Sequence, residues 1–377
     1  MSRQGQGDPR VAQKGPSMSE SDLSPLQDEE TLRDALRSVT SGGWLSWQES
    51  QRVVDGLMRM DLADPRVAGL AAGWLCAIRT RGESVDEILG AARCLRERQV
   101  AVPLVGPDEV LLDTCGTGGD GAHLINISTL TALVVASLGV KVAKHGNRSV
   151  SSACGSADLL EELGYPLHSS PADVASRVQG TGFGFLFAPH FHPALRNLAG
   201  LRRSLGVRTL FNLLGPLVNP AAVTHQVIGV YDRDLVEPLA RVASRLGLRK
   251  ALVVHGEGGL DELSPNGTTW VTLSEQGSDT VRSWEWTPAL FGAPRVSLKA
   301  LRGGDARANA LITRELLSGG HPEVAAAVAM NSAAALWLVE AESDLEAAYG
   351  RAYEALRTGQ VGQFFEHCLR PTDASTL

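Results

Sequence analysis

Little in this sequence points to an oxidising or membranous setting. Its five cysteines are Cys76, Cys94, Cys115, Cys154 and Cys368. They are odd in number and form no C-x-x-C pair, and their spacing matches no zinc site. Reduced thiols in a cytoplasmic protein are the expected state. No apolar run reaches the roughly 18 residues of a membrane helix. The most apolar stretch, Val324 to Val339, contains Asn331 and Ser332 and reads as a buried core helix. The first residues lack the apolar segment of a secretory signal. An excess of positive charge is also missing: the formal net charge is -7 with 20% charged residues, which argues against nucleic-acid and membrane-surface partners. What is present is enough material for a sizeable core, 377 residues at 44% hydrophobic, and for two domains.

Residues 1–28 are rich in Gly, Ser, Gln and Pro without periodicity and read as a disordered tail. Residues 29–100 show only helical patterns. Ser46 with Glu49 and Ser84 with Glu87 form capping boxes, Pro65 opens a helix, and Val67, Leu70, Ala71, Trp74, Leu75 and Ile78 line one face of it. These apolar faces are wide for a small bundle. They are expected to meet another subunit or later helices near 193–215. From residue 106 to 377 short apolar runs alternate with helical segments. The alternation predicts an α/β domain with a mostly parallel central sheet, its ligands bound beyond the carboxyl ends of the strands. Thr269–Leu273 and Ser283–Thr287 read as edge strands.

Two polar loops follow predicted strands and lead into helices. The first, DTCGTGGDGAHLINIST from Asp113 to Thr129, contains a G-x-G-x-x-G match at Gly116–Gly121. A dinucleotide site fits it poorly, because the polar residues continue to Asn126, with Ser128 or Thr129 the better N-cap. The next strand also ends in Lys144-His145 rather than in an acid. No Gly-Lys-Ser/Thr follows, which excludes a P-loop. A wide loop of backbone N–H groups before a helix suits a diphosphate. The second loop packs Lys144, Asn147, Arg148, Ser149, Ser151 and Ser152 into nine residues, a density that suits a phosphorylated sugar. Asp261 and Glu262 follow a third strand, where neighbouring carboxylates on a loop can share one hard cation. One arginine among Arg202, Arg203 and Arg208 can clamp a carboxylate. Cys115 has no histidine at a useful spacing and reads as structural, and His190 and His192 read as packing or capping residues.

The segments GTGGDGAHLINIST, KHGNRSVSSACGSADLLEELG, FLFAPHFHPALR, RTLFNLLGPLVNP and GGLDELS, in this order and spacing, resemble the anthranilate phosphoribosyltransferase family over residues 29–365. The late RGGD at Arg302–Asp305 belongs to the same resemblance. It implies a small N-terminal helical domain and a larger α/β domain of the nucleoside phosphorylase and phosphoribosyltransferase type. It also implies a homodimer through the helical domain and dependence on Mg²⁺. The reaction implied joins anthranilate to phosphoribosyl pyrophosphate in tryptophan biosynthesis.

Carried over by position, Gly116, Gly119 and Asp120 resemble the family's pyrophosphate loop, and Asn126, Ile127, Ser128 and Thr129 its further phosphoribosyl contacts. Lys144, His145, Gly146, Asn147, Arg148, Ser149, Val150, Ser151 and Ser152, with Ser156, resemble the rest of that site. Gly116, His145, Asn147 and Arg202 match the anthranilate pocket. Asp261, Glu262 and Ser128 match the metal site. The resemblance implies no nucleophile or base, only electrostatic assistance from Lys144 and Asp120. Leu124 stands where the family commonly has a hydroxyl, and Ile125 where an aromatic is commoner, which implies a modest change in substrate affinity. Two other readings remain: a pyrimidine nucleoside phosphorylase, which would not carry KHGNR with two serines or the acidic pair, and a nucleic-acid-binding relative, which would want a basic stripe.

Overall fold

The computed structural model describes residues 25–104, 109–119, 121–149, 153–278 and 280–370. Four helices come first: α1 (Pro25–Thr40), α2 (Trp47–Arg59), α3 (Pro65–Arg81) and α4 (Val85–Arg98). Both capping boxes form, Ser46 with Glu49 and Ser84 with Glu87, and Pro65 follows the Asp64 cap. Of the stretch read as a disordered tail, residues 1–24 lie outside the described residues. The remainder is a correction, since α1 already begins at Pro25. The cause is long-range: the buried Asp28 carboxylate accepts from Arg59 Nη2 at 2.6 Å and Nε at 3.1 Å.

Seven strands follow: β1 (Leu111–Thr114), β2 (Lys141–Gly146), β3 (Phe183–Phe187), β4 (His225–Gly229), β5 (Lys250–Gly256), β6 (Thr269–Glu275) and β7 (Arg282–Trp286). They form one sheet in the order β3-β2-β1-β4-β5-β6-β7. The first five are parallel, β6 pairs antiparallel with β5, and β7 pairs antiparallel with β6. Of the two segments expected at an edge only the one in β7 is there, β3 being the opposite edge; β6 lies inside the sheet between β5 and β7. The chain moves outward from β1 to β3, then returns to place β4 on the other side of β1. The strand order therefore reverses between β1 and β4, and a crevice opens beyond their carboxyl ends.

Alternation along the strands divides the interior. Leu252 and Val254 of β5 pack into one core with the helices Ile127–Ser137 (α5) and Pro322–Leu338. Ala251 and Val253 face the opposite way, into a second core. That core joins Trp74, Leu75 and Ile78 of α3 to Leu198, Leu210, Phe211 and Leu214 of the middle segment and Leu239 of the helix Val236–Arg245. The wide apolar faces of the helical region are thus covered in part by later segments of the same chain. No helix among the described residues is long and apolar enough to cross a membrane.

Glu87 holds the helical region together from inside. Its side chain is fully buried, accepts from Arg81 Nη2 at 2.5 Å, from the Leu45 amide at 3.1 Å and from the Ser84 amide at 2.9 Å. Removing it takes the ion-pair partner from the half-buried Arg81 guanidinium and the acceptor from two amides. Glu87→Ala is expected to lower stability by about 3 kcal/mol in urea unfolding, and a loss under about 1 kcal/mol would show the network to be dispensable.

Candidate functional site

Three loops converge beyond β1, β2 and β5. The first leaves β1 at Cys115 and is stitched to the neighbouring strand by Thr117 N donating to Gly229 O at 2.8 Å. It passes so close to the acidic pair that a methyl group at Gly116 would lie 2.6 Å from Asp261 Oδ2. Gly118 N donates to that same oxygen at 2.7 Å. Gly119 has φ +76, a left-handed conformation that favours glycine. Glu262 reaches the start of α5, where its Oε1 accepts from Ser128 N at 2.9 Å. This corrects the expected N-cap: the helix starts at Ile127 after Asn126, and Glu262, from a distant loop, satisfies the Ser128 amide.

Lys144, at the end of β2, is buried. Its Nζ donates to Thr114 O at 2.6 Å and to Ser128 Oγ at 3.3 Å. Glu262, Ser128 and Lys144 therefore form one continuous chain of contacts, with Asp261 fastening the glycine loop beside it. Behind Lys144 lies fully buried Asp113, which accepts from Asn219 Nδ2 at 2.8 Å, Gln226 Nε2 at 3.1 Å and His145 N at 3.2 Å. Burial lifts its carboxyl to about 6, against the pull of Lys144. His145 Nδ1 contacts Gly215 O at 2.9 Å. A carbonyl only accepts, so Nδ1 carries the proton and neutral Nε2 is a bare acceptor. Burial and neighbouring His192, edge-on at 5.1 Å, depress the His145 pKa to about 3.

The second loop is tied down separately. Ser149 N and Gly155 N both donate to Asp158 Oδ2 at 2.9 Å, and Ser156 Oγ donates to Asn147 O at 3.3 Å. A methyl at Gly146 would meet Ser156 Oγ at 2.2 Å and the Phe185 ring, so only glycine allows that approach. Arg148 is directed to Asp158 at 3.0 Å and Glu161 at 2.7 Å, not into the crevice. Asn147 is exposed. Asn126 donates to Cys154 O at 3.1 Å and accepts from Asn309 Nδ2 at 3.0 Å. Asn309 Oδ1 in turn accepts from Gly304 N at 2.7 Å, so the Arg302–Asp305 turn supports the first loop. Leu124 bridges to Arg302 there as a short antiparallel contact. Asp120, Val150, Ser151 and Ser152 lie outside the described residues.

Arg202 sits on the helix Ala199–Leu205, its guanidinium 5.9 Å from the centre of the Phe211 ring. Burial lowers its pKa, and among the described residues no carboxylate pairs with it. No hydrogen bond ties it to either loop. Cys115 is half-buried beside Asp113, and desolvation pushes its thiol far above the range of a reactive thiolate. His190 packs on His168 at 5.0 Å and Phe187 at 5.1 Å, whereas His192 is buried against His145. Among the described residues, Thr117 Oγ1, Thr129 Oγ1, His145 Nε2 and His192 Nε2 are buried without a hydrogen-bond partner. Buried polar atoms are normally satisfied, so those on the first loop, at the start of α5 and on the adjacent His145–His192 pair are places where a ligand or water would find a partner. Asp113, Asn219, Gln226 and Asn309 were not apparent from the sequence, being single polar residues that meet only in the fold.

The helical region and the α/β region match two models of one enzyme class, the glycosyl transferase family: its helical bundle domain over residues 33–99 and its a/b domain over residues 108–361. The anthranilate phosphoribosyltransferase of Clostridium kluyveri is 43% identical over 338 residues, 90% of this chain and 98% of that protein. That of Persephonella marina is 47% identical over 288 residues, covering 76% and 83%. Among solved structures, the enzyme from Thermus thermophilus matches with a TM-score of 0.79 at 41% identity, covering 89% of this chain and 98% of that one. The Saccharomyces cerevisiae enzyme in complex with PRPP and Mg matches with a TM-score of 0.81 at 27% identity, covering 90% and 97%. The chain belongs to the anthranilate phosphoribosyltransferase family.

The buried histidines give the site a pH signature. His192, held at about 4 by burial, takes up its proton near 6.5 once unfolded. The unfolded chain then binds more protons, so stability falls as pH drops from 6.5 toward 4, by up to about 1.4 kcal/mol per unit. Asp113 opposes this, since protonation below about 6 relieves its burial. In urea unfolding between pH 7 and 4, His192→Asn is expected to flatten the decline, and an unchanged slope would show that His192 is not depressed.

Proposed function

We infer that the chain transfers the phosphoribosyl group of 5-phosphoribosyl 1-pyrophosphate to the amino group of anthranilate. The products are N-(5-phosphoribosyl)anthranilate and pyrophosphate, and the step belongs to L-tryptophan biosynthesis. The observation that carries the reading is the convergence at the β1/β4 switch point of the glycine loop, Lys144 and the Asp261–Glu262 pair. Neither a pyrimidine nucleoside phosphorylase nor a nucleic-acid binder is favoured by the relatives, and the chain is acidic overall.

On this reading Gly116 and Gly119, with Asp120, contact the diphosphate, while the Thr117 and Gly118 amides are held within the protein by Gly229 O and Asp261. Asn126 to Thr129 and the Lys144–Ser152 loop with Ser156 surround the phosphoribose. Displacement at C1 builds positive character on the sugar and negative charge on the departing diphosphate. Lys144 and the loop amides stabilise that charge. Asp261, Glu262 and Ser128 offer the hard oxygen donors Mg²⁺ prefers, and Ser128 and Glu262 already meet in one cluster with Lys144. A bound Mg²⁺ would neutralise part of the leaving-group charge. The amine of anthranilate is neutral and nucleophilic, so positioning matters more than a base. Gly116, His145, Asn147 and Arg202 form the proposed acceptor pocket. Arg202 has no acidic partner among the described residues and would take the anthranilate carboxylate, and neutral His145 Nε2 offers an acceptor for an N–H. The reading also implies a two-domain enzyme, helical over residues 29–100 and α/β over 106–377, that dimerises through the helical domain in the cytoplasm.

Loss of anthranilate fluorescence should require both phosphoribosyl pyrophosphate and Mg²⁺, with one pyrophosphate released per turnover. No consumption under those conditions would refute the assignment. Arg202→Ala is expected to raise the anthranilate KM far more than that for phosphoribosyl pyrophosphate, and equal effects would remove it from that role. Cys115→Ala should keep most activity. A loss beyond about a hundredfold, roughly 2.7 kcal/mol, would make the thiol a participant.

A further inference from the structure

Arg208 lies outside every loop considered so far, just before the short helix Phe211–Leu214. Its guanidinium stacks on the Tyr231 ring at 3.8 Å from the centroid. Tyr231 follows β4, the strand that pins the glycine loop through Gly229, and Arg79 of α3 lies 6.0 Å from the same ring. The other side of Arg208 borders the glycine loop: a methyl at Gly119 would lie 3.1 Å from Nη2 and 3.3 Å from Nε. Among the described residues no carboxylate neutralises this cation. A stacked guanidinium is held flat with its N–H edge free to donate, the geometry that grips phosphate oxygens in pairs.

We propose that Arg208 is a further binding residue for the diphosphate, bordering the glycine loop at Gly119, with Tyr231 as the residue that positions it. This rests on the reading of the loop as a diphosphate site. Gly119 is required there for two reasons, its positive φ and the absence of a side chain between the loop and the guanidinium. Tyr231, touched by Arg79 from the helical region, sets where that edge lies, so the helical region would influence diphosphate affinity through one aromatic ring.

The test is calorimetric titration of inorganic pyrophosphate with Mg²⁺ into the full chain, beside steady-state kinetics with both substrates. Arg208→Gln is expected to weaken pyrophosphate binding and raise the phosphoribosyl pyrophosphate KM at least tenfold, with the anthranilate KM unchanged within twofold. Arg208→Lys, which keeps the charge without the flat fork, should recover part of the loss, and it carries the comparison if the glutamine variant does not fold. Tyr231→Leu should move the same two quantities in the same direction by less. If the unaltered chain binds pyrophosphate and Arg208→Gln binds it equally well, the proposal is overturned while the diphosphate reading stands. An equal rise in both KM values would likewise overturn it by making Arg208 a scaffold residue. If the unaltered chain itself binds no pyrophosphate, the underlying reading fails and the proposal with it.

Discussion

A loop of glycines offers many N–H groups but no reason to hold them in one place. Here the constraint comes from two adjacent carboxylates on another strand's loop. Asp261 takes the Gly118 amide and Glu262 takes the Ser128 amide, at the two ends of the same connection between β1 and α5. Leaving the part-buried Ser128 amide unpaired is unfavourable by roughly 1–3 kcal/mol, whereas the exposed Gly118 amide is oriented rather than desolvated. Each acid therefore has a geometric as well as an electrostatic consequence. Gly116 and Gly229 are glycines for the same reason: a side chain at either would collide with Asp261.

The charge pattern is layered. Asp113, Asn219 and Gln226 form a buried polar floor, Lys144 stands on it, and the acidic pair lies above. Lys144 is a buried cation whose Nζ is anchored by the Thr114 carbonyl and the Ser128 hydroxyl, and Asp113 compensates its charge from behind. A buried ammonium fixed in this way needs no reorganisation when negative charge develops in front of it. The neutral His145 beside it adds an acceptor without adding charge. Positive charge is thus concentrated at Lys144, while His145 beside it stays neutral.

Much of this was legible in the letters because local composition carried it. The capping boxes at Ser46 and Ser84, the glycine and hydroxyl density after β1 and β2, and the Asp261–Glu262 pair are short-range patterns with direct physical meaning. What the sequence concealed is long-range. Nothing near Ser128 reveals that Glu262 serves its amide, so the local residues suggest an N-cap two or three positions after Asn126. Nothing near Pro25 reveals that Arg59 holds Asp28 and carries the helix back toward the chain start. Asn309 and Arg208 each look like one more polar residue on a helical segment until the fold sets them against Asn126 and Gly119. Arg148 shows the reverse: its loop suggested a ligand, yet its guanidinium is paired with Asp158 and Glu161.

The most direct measurement of the central claim is amide hydrogen exchange across residues 113–129 in the unaltered chain and in Glu262→Ala and Asp261→Ala. If the acidic pair braces the connection between β1 and α5, exchange in that segment rises severalfold in both variants while β4 and β5 stay protected. Unchanged exchange in 113–129 would contradict the account, because the glycine loop would then hold its shape without the carboxylates.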